Sequence, residues 1–310
     1  MMGWDRKGIW YQARILMVLM FVLKIGGLAT PWSHAQEQLT FKIGALLPLS
    51  GELAVMGQTA QKALAVAEEH CLRMQDYFTP ELVLMDTQTN PDTALAAIQA
   101  MHEQGIRVVI GPFSSACIQK VKPFADEHDI LVLSPTSTSP SLAKNDMIYR
   151  IVLNDSINAT GIMTYLRHQE IESVILLRRE DTYGNEFSAL FADVWQAKGG
   201  NIAGEVAYPP DQTDFSSTVA SLRSLVQSQS TLAELGKLAI LAVSYEEMGS
   251  ILQAASADET LAQAVWMKTE SASQIPVFES DPQVQAFAEK TRFTFSSNAA
   301  AGLYHPAYPH

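Results

Sequence analysis

Short runs of β-branched and aromatic residues recur along this chain at intervals that each leave room for one helix, and that alternation is the strongest constraint on its fold. Residues 39–47 (LTFKIGALL) read as a strand that stops at Pro48-Leu49-Ser50-Gly51, after which Ala60, Ala63, Leu64 and Ala67 mark one face of a helix. Residues 82–86 (LVLMD) repeat the strand signal, Pro91 opens a helix to about Gln104, and 108–110 form the next strand, closed by Gly111-Pro112. A helix over 115–128, a strand over 130–134 and a short extended segment over 148–153 follow. The second half restarts the rhythm: helices over 157–168, 185–197, 215–228 and 247–255, strands over 173–177, 202–208, 238–243 and 264–267. The Ser-rich stretch 224–231 and Pro209-Pro210-Asp211 read as loops. Strands separated by single helices build parallel sheets with right-handed crossovers, so the expected class is α/β, with two Rossmann-like lobes in tandem.

Composition narrows the function classes. The chain has 310 residues, 47% of them hydrophobic, 21 Lys plus Arg and 33 Asp plus Glu, for a net charge of −12. That apolar fraction builds a core, and an acidic surface repels phosphate backbones, so nucleic acid is not an expected partner. The length exceeds what one core usually holds, which again favours two lobes. Residues 1–14 are net positive, 15–23 (ILMVLMFVL) are uniformly apolar, and Ser33-His34-Ala35 supplies small residues at both key positions. The pattern is that of a secretory signal peptide cut after Ala35, hence an exported protein. An N-terminal membrane anchor is the alternative, but the apolar run falls short of the ~20 residues that span a bilayer. Cys71 and Cys117 are the only cysteines; they either form one bridge or are separate buried thiols. The seven histidines show no i, i+4 pair, so neither a metal nor another cofactor is expected.

Open parallel sheets place ligands at the carboxyl ends of their strands. Here those ends carry Pro48-Leu49-Ser50-Gly51-Glu52, Gly111-Pro112-Phe113-Ser114-Ser115 and Ser134-Pro135-Thr136-Ser137-Thr138-Ser139-Pro140. Hydroxyls and free backbone N–H groups at helix starts favour an anion such as a carboxylate. A nucleotide is disfavoured, since the chain has no G-x-G-x-x-G or Lys-Ser/Thr phosphate loop. A G-x-S-x-G elbow, paired acids and a metal-ligand cluster are also missing, which argues against an exported hydrolase.

Several motifs, in order, resemble the type I periplasmic binding proteins, in the branch of Leu/Ile/Val-binding proteins that serve ABC importers. They are IGALLPLSGELAVMG (43–57), VIGPFSS (109–115), LSPTSTSP (133–140), Tyr149-Arg150 with Asp155, DTYG (181–184), TDFS (213–216), YEEMG (245–249) and DPQVQAFAE (281–289). The resemblance implies a ligand held between the lobes. Ser115 matches a hydroxyl on an α-carboxylate, Thr138 one that bridges carboxylate and ammonium, and Thr136 a residue giving backbone groups beside it. Tyr183 matches an aromatic that closes over the ligand, and Glu270 the carboxylate that neutralises the ammonium. Each has a plainer reading: Ser115 as a helix cap, Glu270 as a solvated acid, Tyr183 as packing.

The sequence also departs from that pattern. Met56 stands where an aromatic is frequent and Ser244 where a larger residue is common, which leaves the side-chain pocket and the particular amino acid open. Arg178 and Arg179 read as surface charge rather than ligand contacts. The positions of a first-lobe disulfide in many relatives are Thr89 and Ser114. The resemblance implies lobe I over 40–153, continued by 280–310 and incomplete there, and lobe II over 154–279, hinged near 153–156 and 273–280. The implied function is a monomeric, non-enzymatic periplasmic receptor that binds an amino acid, branched-chain or related, or an amide, and delivers it to ABC permease subunits. A sensory protein of the same fold is the alternative.

Overall fold

The computed structural model describes residues 39–74, 78–270 and 277–296, and within them the alternation becomes two five-stranded sheets. Residues 1–39 with 76–78 group as a unit of their own, of which only Leu39 and Phe78 are described; the account below concerns the other unit, 40–75 with 79–310. The expected export segment, 1–35, lies outside the described residues.

The first sheet is built from β1 (Leu39–Leu47), β2 (Phe78–Asp86), β3 (Val108–Ile110), β4 (Leu131–Ser134) and β5 (Ile148–Arg150), in the order β2-β1-β3-β4-β5. Its helices are α1 (Ala54–Met74), α2 (Pro91–Glu103) and α3 (Ser115–Glu127). The chain then enters α4 (Asp155–His168) and β6 (Ser173–Arg179), α5 (Thr182–Ala197), β7 (Asn201–Tyr208), α6 (Ser216–Ser228), α7 (Ser230–Glu234), β8 (Leu238–Val243), α8 (Met248–Ala255), β9 (Val265–Lys268), α9 (Val277–Ser280), α10 (Pro282–Lys290) and β10 (Thr294–Phe295). The second sheet runs β10-β9-β8-β6-β7. Counted within each half, both orders are 2-1-3-4-5, and the pairings β1/β3, β3/β4, β4/β5, β6/β7, β6/β8, β8/β9 and β9/β10 are parallel. A doubly wound sheet of this order has its switch point between its first and third strands.

Local chemistry starts the helices where the loops require. The Asn90 side chain accepts from the Asp92 and Thr93 amides ahead of Pro91, and Ser114 and Asp181 cap α3 and α5 in the same way. Gly111 ends β3 at φ +90°, with the Leu46 carbonyl oxygen 2.1 Å from where a Cβ would sit, so no other residue fits there.

Three apolar clusters result. Leu46, Ile98, Met101, Ile118 and Val121 fill the space between the first sheet and α2 and α3. Ile175, Ile240, Trp266, Leu222 and Ile251 do so between the second sheet and α6 and α8. The third joins the halves: Ala45, Leu47, Leu53 and Phe113 of the first pack with Ile162, Phe187, Phe191 and Trp195 of the second.

Three expectations change. Residues from 280 onward had been assigned to the first lobe, but β10 pairs with β9 (Thr294 opposite Met267) and α10 buries Val284 and Phe287 against Trp266. Segment 282–295 therefore belongs to the second sheet, because its apolar face fits that core; 297–310 lie outside the described residues. The Ser-rich stretch is largely helical, since Val219, Leu222 and Val226 supply a buried face that overrides the weak propensity of serine. The cysteines are unbridged: Cys117 is buried in α3 and Cys71 exposed in α1. Among the described residues no helix is long and apolar enough to cross a membrane.

Candidate functional site

The carboxyl ends of the first sheet converge on a cluster of hydroxyls. Ser114 is the cap of α3, its Oγ accepting from the Cys117 amide at 3.2 Å, which leaves the neighbouring Ser115 hydroxyl for another use. That hydroxyl lies 2.9 Å from Ser137 Oγ, and both residues are buried. Thr136 donates to the Phe113 carbonyl at 2.7 Å, and Ser134 to the Pro112 carbonyl at 3.0 Å, so the loop after β4 is pinned to the loop after β3. Arg150, at the end of β5, donates to the Ser139 carbonyl at 2.5 Å and fixes the far side of the same loop. Ser137 was not singled out from the sequence; its position between two predicted contact residues was the available signal.

Thr138 sits where the chain leaves this cluster. Its carbonyl accepts from the Asp155 amide at 3.0 Å, at the start of α4. Asp155 is buried, and neither of its carboxylate oxygens completes a hydrogen bond of good geometry among the described residues. Burial pushes its carboxyl up to about 6, against the opposing pull of the nearby Thr138 hydroxyl and Arg150.

The second sheet contributes aromatic rings and charge. Gly184 lies with the Arg179 carbonyl oxygen 2.0 Å from its notional Cβ, a contact that lets α5 start hard against the end of β6. The adjacent Tyr183 stacks on Tyr245 (centroids 5.5 Å apart, planes 11° apart) and donates to Thr269 Oγ1 at 2.8 Å. Ser244 is buried just past β8. Glu270 is half-buried two residues past β9, and 271–276, which include the first half of one expected hinge, lie outside the described residues.

Arg179 corrects the sequence reading. Far from being surface charge, its side chain is 2% exposed and holds three carboxylates: Glu52 through Nη2 at 2.5 Å, Asp181 through Nε at 2.6 Å and Glu247 through Nη1 at 2.8 Å. Its guanidinium lies 4.0 Å from the centre of the Tyr245 ring, and Tyr208 donates to Glu247 at 2.8 Å. Burial alone would depress the Arg179 pKa, but Glu247, Tyr245, Asp181 and Glu52 outweigh it and raise it. Arg178 pairs with Glu205 at the surface. Lys268 is fully buried at the end of β9, and burial brings its amine down to about 7 against the pull of Glu247, Glu270 and Glu246.

Two cavities adjoin the hydroxyl cluster. One, of about 330 Å³, is lined by Glu52, Thr89, Asn90 and Ser114 from the first half and by Arg179, Asp181 and Tyr245 from the second. The other, of about 450 Å³, is apolar, with Leu47, Met56, Leu64, Ile110, Phe113 and Pro135 in its wall and Glu246 at one side. The structure thus places Ser115, Thr136 and Thr138 in the two linked loops after β3 and β4, Met56 in the apolar wall, and Tyr183, Ser244 and Glu270 at the strand ends of the other sheet; none of the three hydroxyl residues is among those that line either cavity. Among the described residues no group of His, Cys, Asp and Glu could hold a metal ion.

Two doubly wound sheets of one topology, with polar groups gathered at the carboxyl ends of both, define the class of two-lobed α/β binding proteins. The family follows from comparison: a family described as "Periplasmic binding protein" matches residues 40–228, and the chain belongs to it. The Leu/Ile/Val-binding protein BraC3 of Rhizobium johnstonii is 25% identical over 199 residues, 63% of this chain and 53% of that protein. An uncharacterized protein of Methanocaldococcus jannaschii is 25% identical over 252 residues, 77% of this chain and 58% of its own length. The chain thus spans little more than half the length of these curated relatives. Among solved structures, a leucine-binding protein LivK of Thermotoga maritima superposes with a TM-score of 0.65 at 20% identity, covering 81% of this chain and 66% of the other. A solute-binding protein of R. palustris in complex with 4-hydroxybenzoate gives 0.67 at 18% identity, covering 82% and 73%. These two show the type I fold.

Proposed function

We propose that the protein is a periplasmic solute receptor that closes its lobes on a small amino acid, or on a carboxylate or amide of similar size, and delivers it as a monomer to the permease of an ABC importer. The observation that carries this reading is the Ser115–Ser137 contact at the start of α3, with Thr136 and Thr138 in the same loop. A carboxylate leaving water needs several donors, and hydroxyls with helix-start amides supply them without adding net charge. In an amino-acid ligand the ammonium is then the task of Glu270, Tyr183 covers the ligand, and Ser244 and Met56 border the side chain. The apolar cavity beside Met56 suits a branched or aromatic group. The R. palustris protein that holds 4-hydroxybenzoate makes an aromatic acid the second candidate. Delivery to a receptor kinase or other sensor instead of a permease is the alternative use of the same binding event.

A thermal-shift screen of the exported protein tests the reading, since a ligand that binds only the folded state raises the melting temperature. The panel is the twenty amino acids, short amides and 4-hydroxybenzoate. A shift with a branched-chain amino acid is expected; a flat panel overturns the receptor reading. If an amino acid binds, Glu270→Ala is expected to weaken it by about 2–5 kcal/mol in calorimetry, because the ammonium loses its counter-charge. Unchanged affinity would remove Glu270 from the site.

A further inference from the structure

The Arg179 cluster is the one strongly charged, buried assembly in the described residues that the binding reading does not use. Its partners divide between the lobes. Asp181 caps α5 and Glu247 precedes α8, so both belong to the second half with Arg179 itself, whereas Glu52 comes from the loop between β1 and α1 in the first. We infer from this geometry that the Glu52–Arg179 ion pair is a latch between the lobes, one that keeps the cleft closed when no ligand is bound.

Three features fit that role. The pair is directional, with Nη2 2.5 Å from Glu52 Oε2, and it crosses the cavity that both lobes line. It can be undone without wrecking the fold, because on opening Arg179 keeps Asp181 and Glu247 and its stack on Tyr245, while Glu52, 27% exposed when closed, passes into water. Burial raises the Glu52 pKa despite Arg179, so desolvation opposes the attraction and the latch is reversible rather than permanent. The other polar contacts between the halves involve at least one neutral partner: Glu186 accepts from the Ser139 and Ser141 hydroxyls, Glu246 from the Val55 amide, and Thr182 meets Gln119. Glu52 is thus the only acid of the first half that meets a cation of the second among the described ion pairs.

A latched receptor spends its empty time closed, so ligand entry waits for the pair to break. The inference presumes the two-lobed hinge of the proposed function, but its test contains no ligand and stands apart from which solute binds. Spin labels on Glu127→Cys and Gln227→Cys, both exposed positions, in a Cys71→Ser background report the distance between lobes by double electron–electron resonance. The ligand-free protein is expected to show mainly the short, closed distance, and Glu52→Gln to enlarge the long-distance population several-fold. Glu52→Ala should do the same, which covers the chance that glutamine still donates or accepts in the gap. Identical distributions in all three proteins, or a background protein that is already mostly open, overturn the latch. So does loss of folding in Glu52→Gln by circular dichroism, because a latch is dispensable to each lobe.

Discussion

The two sheets share one strand order but are covered differently. In the second, β8 is buried at all six positions and β9 at all four, as expected for a parallel sheet with helices on both faces. In the first, β3 and β4 alternate buried with half-buried, so Val109 and Val132 sit in the core while Val108, Ile110, Leu131 and Leu133 keep part of their surface open. Their strand ends differ as well: hydroxyls and helix starts in the first, paired charge and stacked rings in the second. Topology alone therefore does not set either burial or chemistry; each lobe's neighbours do.

The largest effect should come from testing burial directly. Leu241→Ala in β8 is expected to cost about 2–5 kcal/mol in denaturant unfolding, whereas Leu131→Ala in β4 should cost under about 1.5 kcal/mol, because a half-open site loses less transfer energy and leaves a smaller cavity. Equal costs would break the comparison. The connection between the sheets supplies the next test. Asp155 has a folded pKa of about 6, above its ordinary 3.8, so the folded state holds the proton more tightly than the unfolded chain does. Stability is then lost as pH rises from about 4 through 6 and stays lower above. Asp155→Asn should therefore stabilise the protein by about 2–3 kcal/mol at pH 7.5 and by little at pH 4. A pH-independent gain would show that charge is not the cause. The smallest effect concerns the thiols of the first half. Burial pushes the Cys117 thiol up to about 11, while Cys71 is exposed, so a thiol reagent should label one cysteine in the native protein and two in denaturant.

What could be read from the sequence follows the range over which each feature is determined. Strands such as β3 (VVI) and helices such as α2 are set by neighbours within a few residues, and their pattern was visible; the cap of α3 was read one residue late, at Ser115 instead of Ser114, and the Asn90 cap was not read at all. The hydroxyl-rich loops were legible for the same reason. Arg179 was not, because its burial depends on Glu52 and Glu247 arriving from 127 and 68 residues away, and an arginine followed by two acids looks like any solvated surface run. The placement of 282–295 was missed likewise: an amphipathic helix and two extended residues suit either sheet, and only the shape beside Trp266 and Met267 decides between them.

The tandem serines at the start of α3 carry one more lesson. A lone serine there would have to serve both as the helix cap and as the link to the next loop; with two, Ser114 caps the helix while the Ser115 hydroxyl meets Ser137 in the loop after β4. A change at position 115 can then alter the link between the two loops without loosening the helix start, which Ser114 continues to hold.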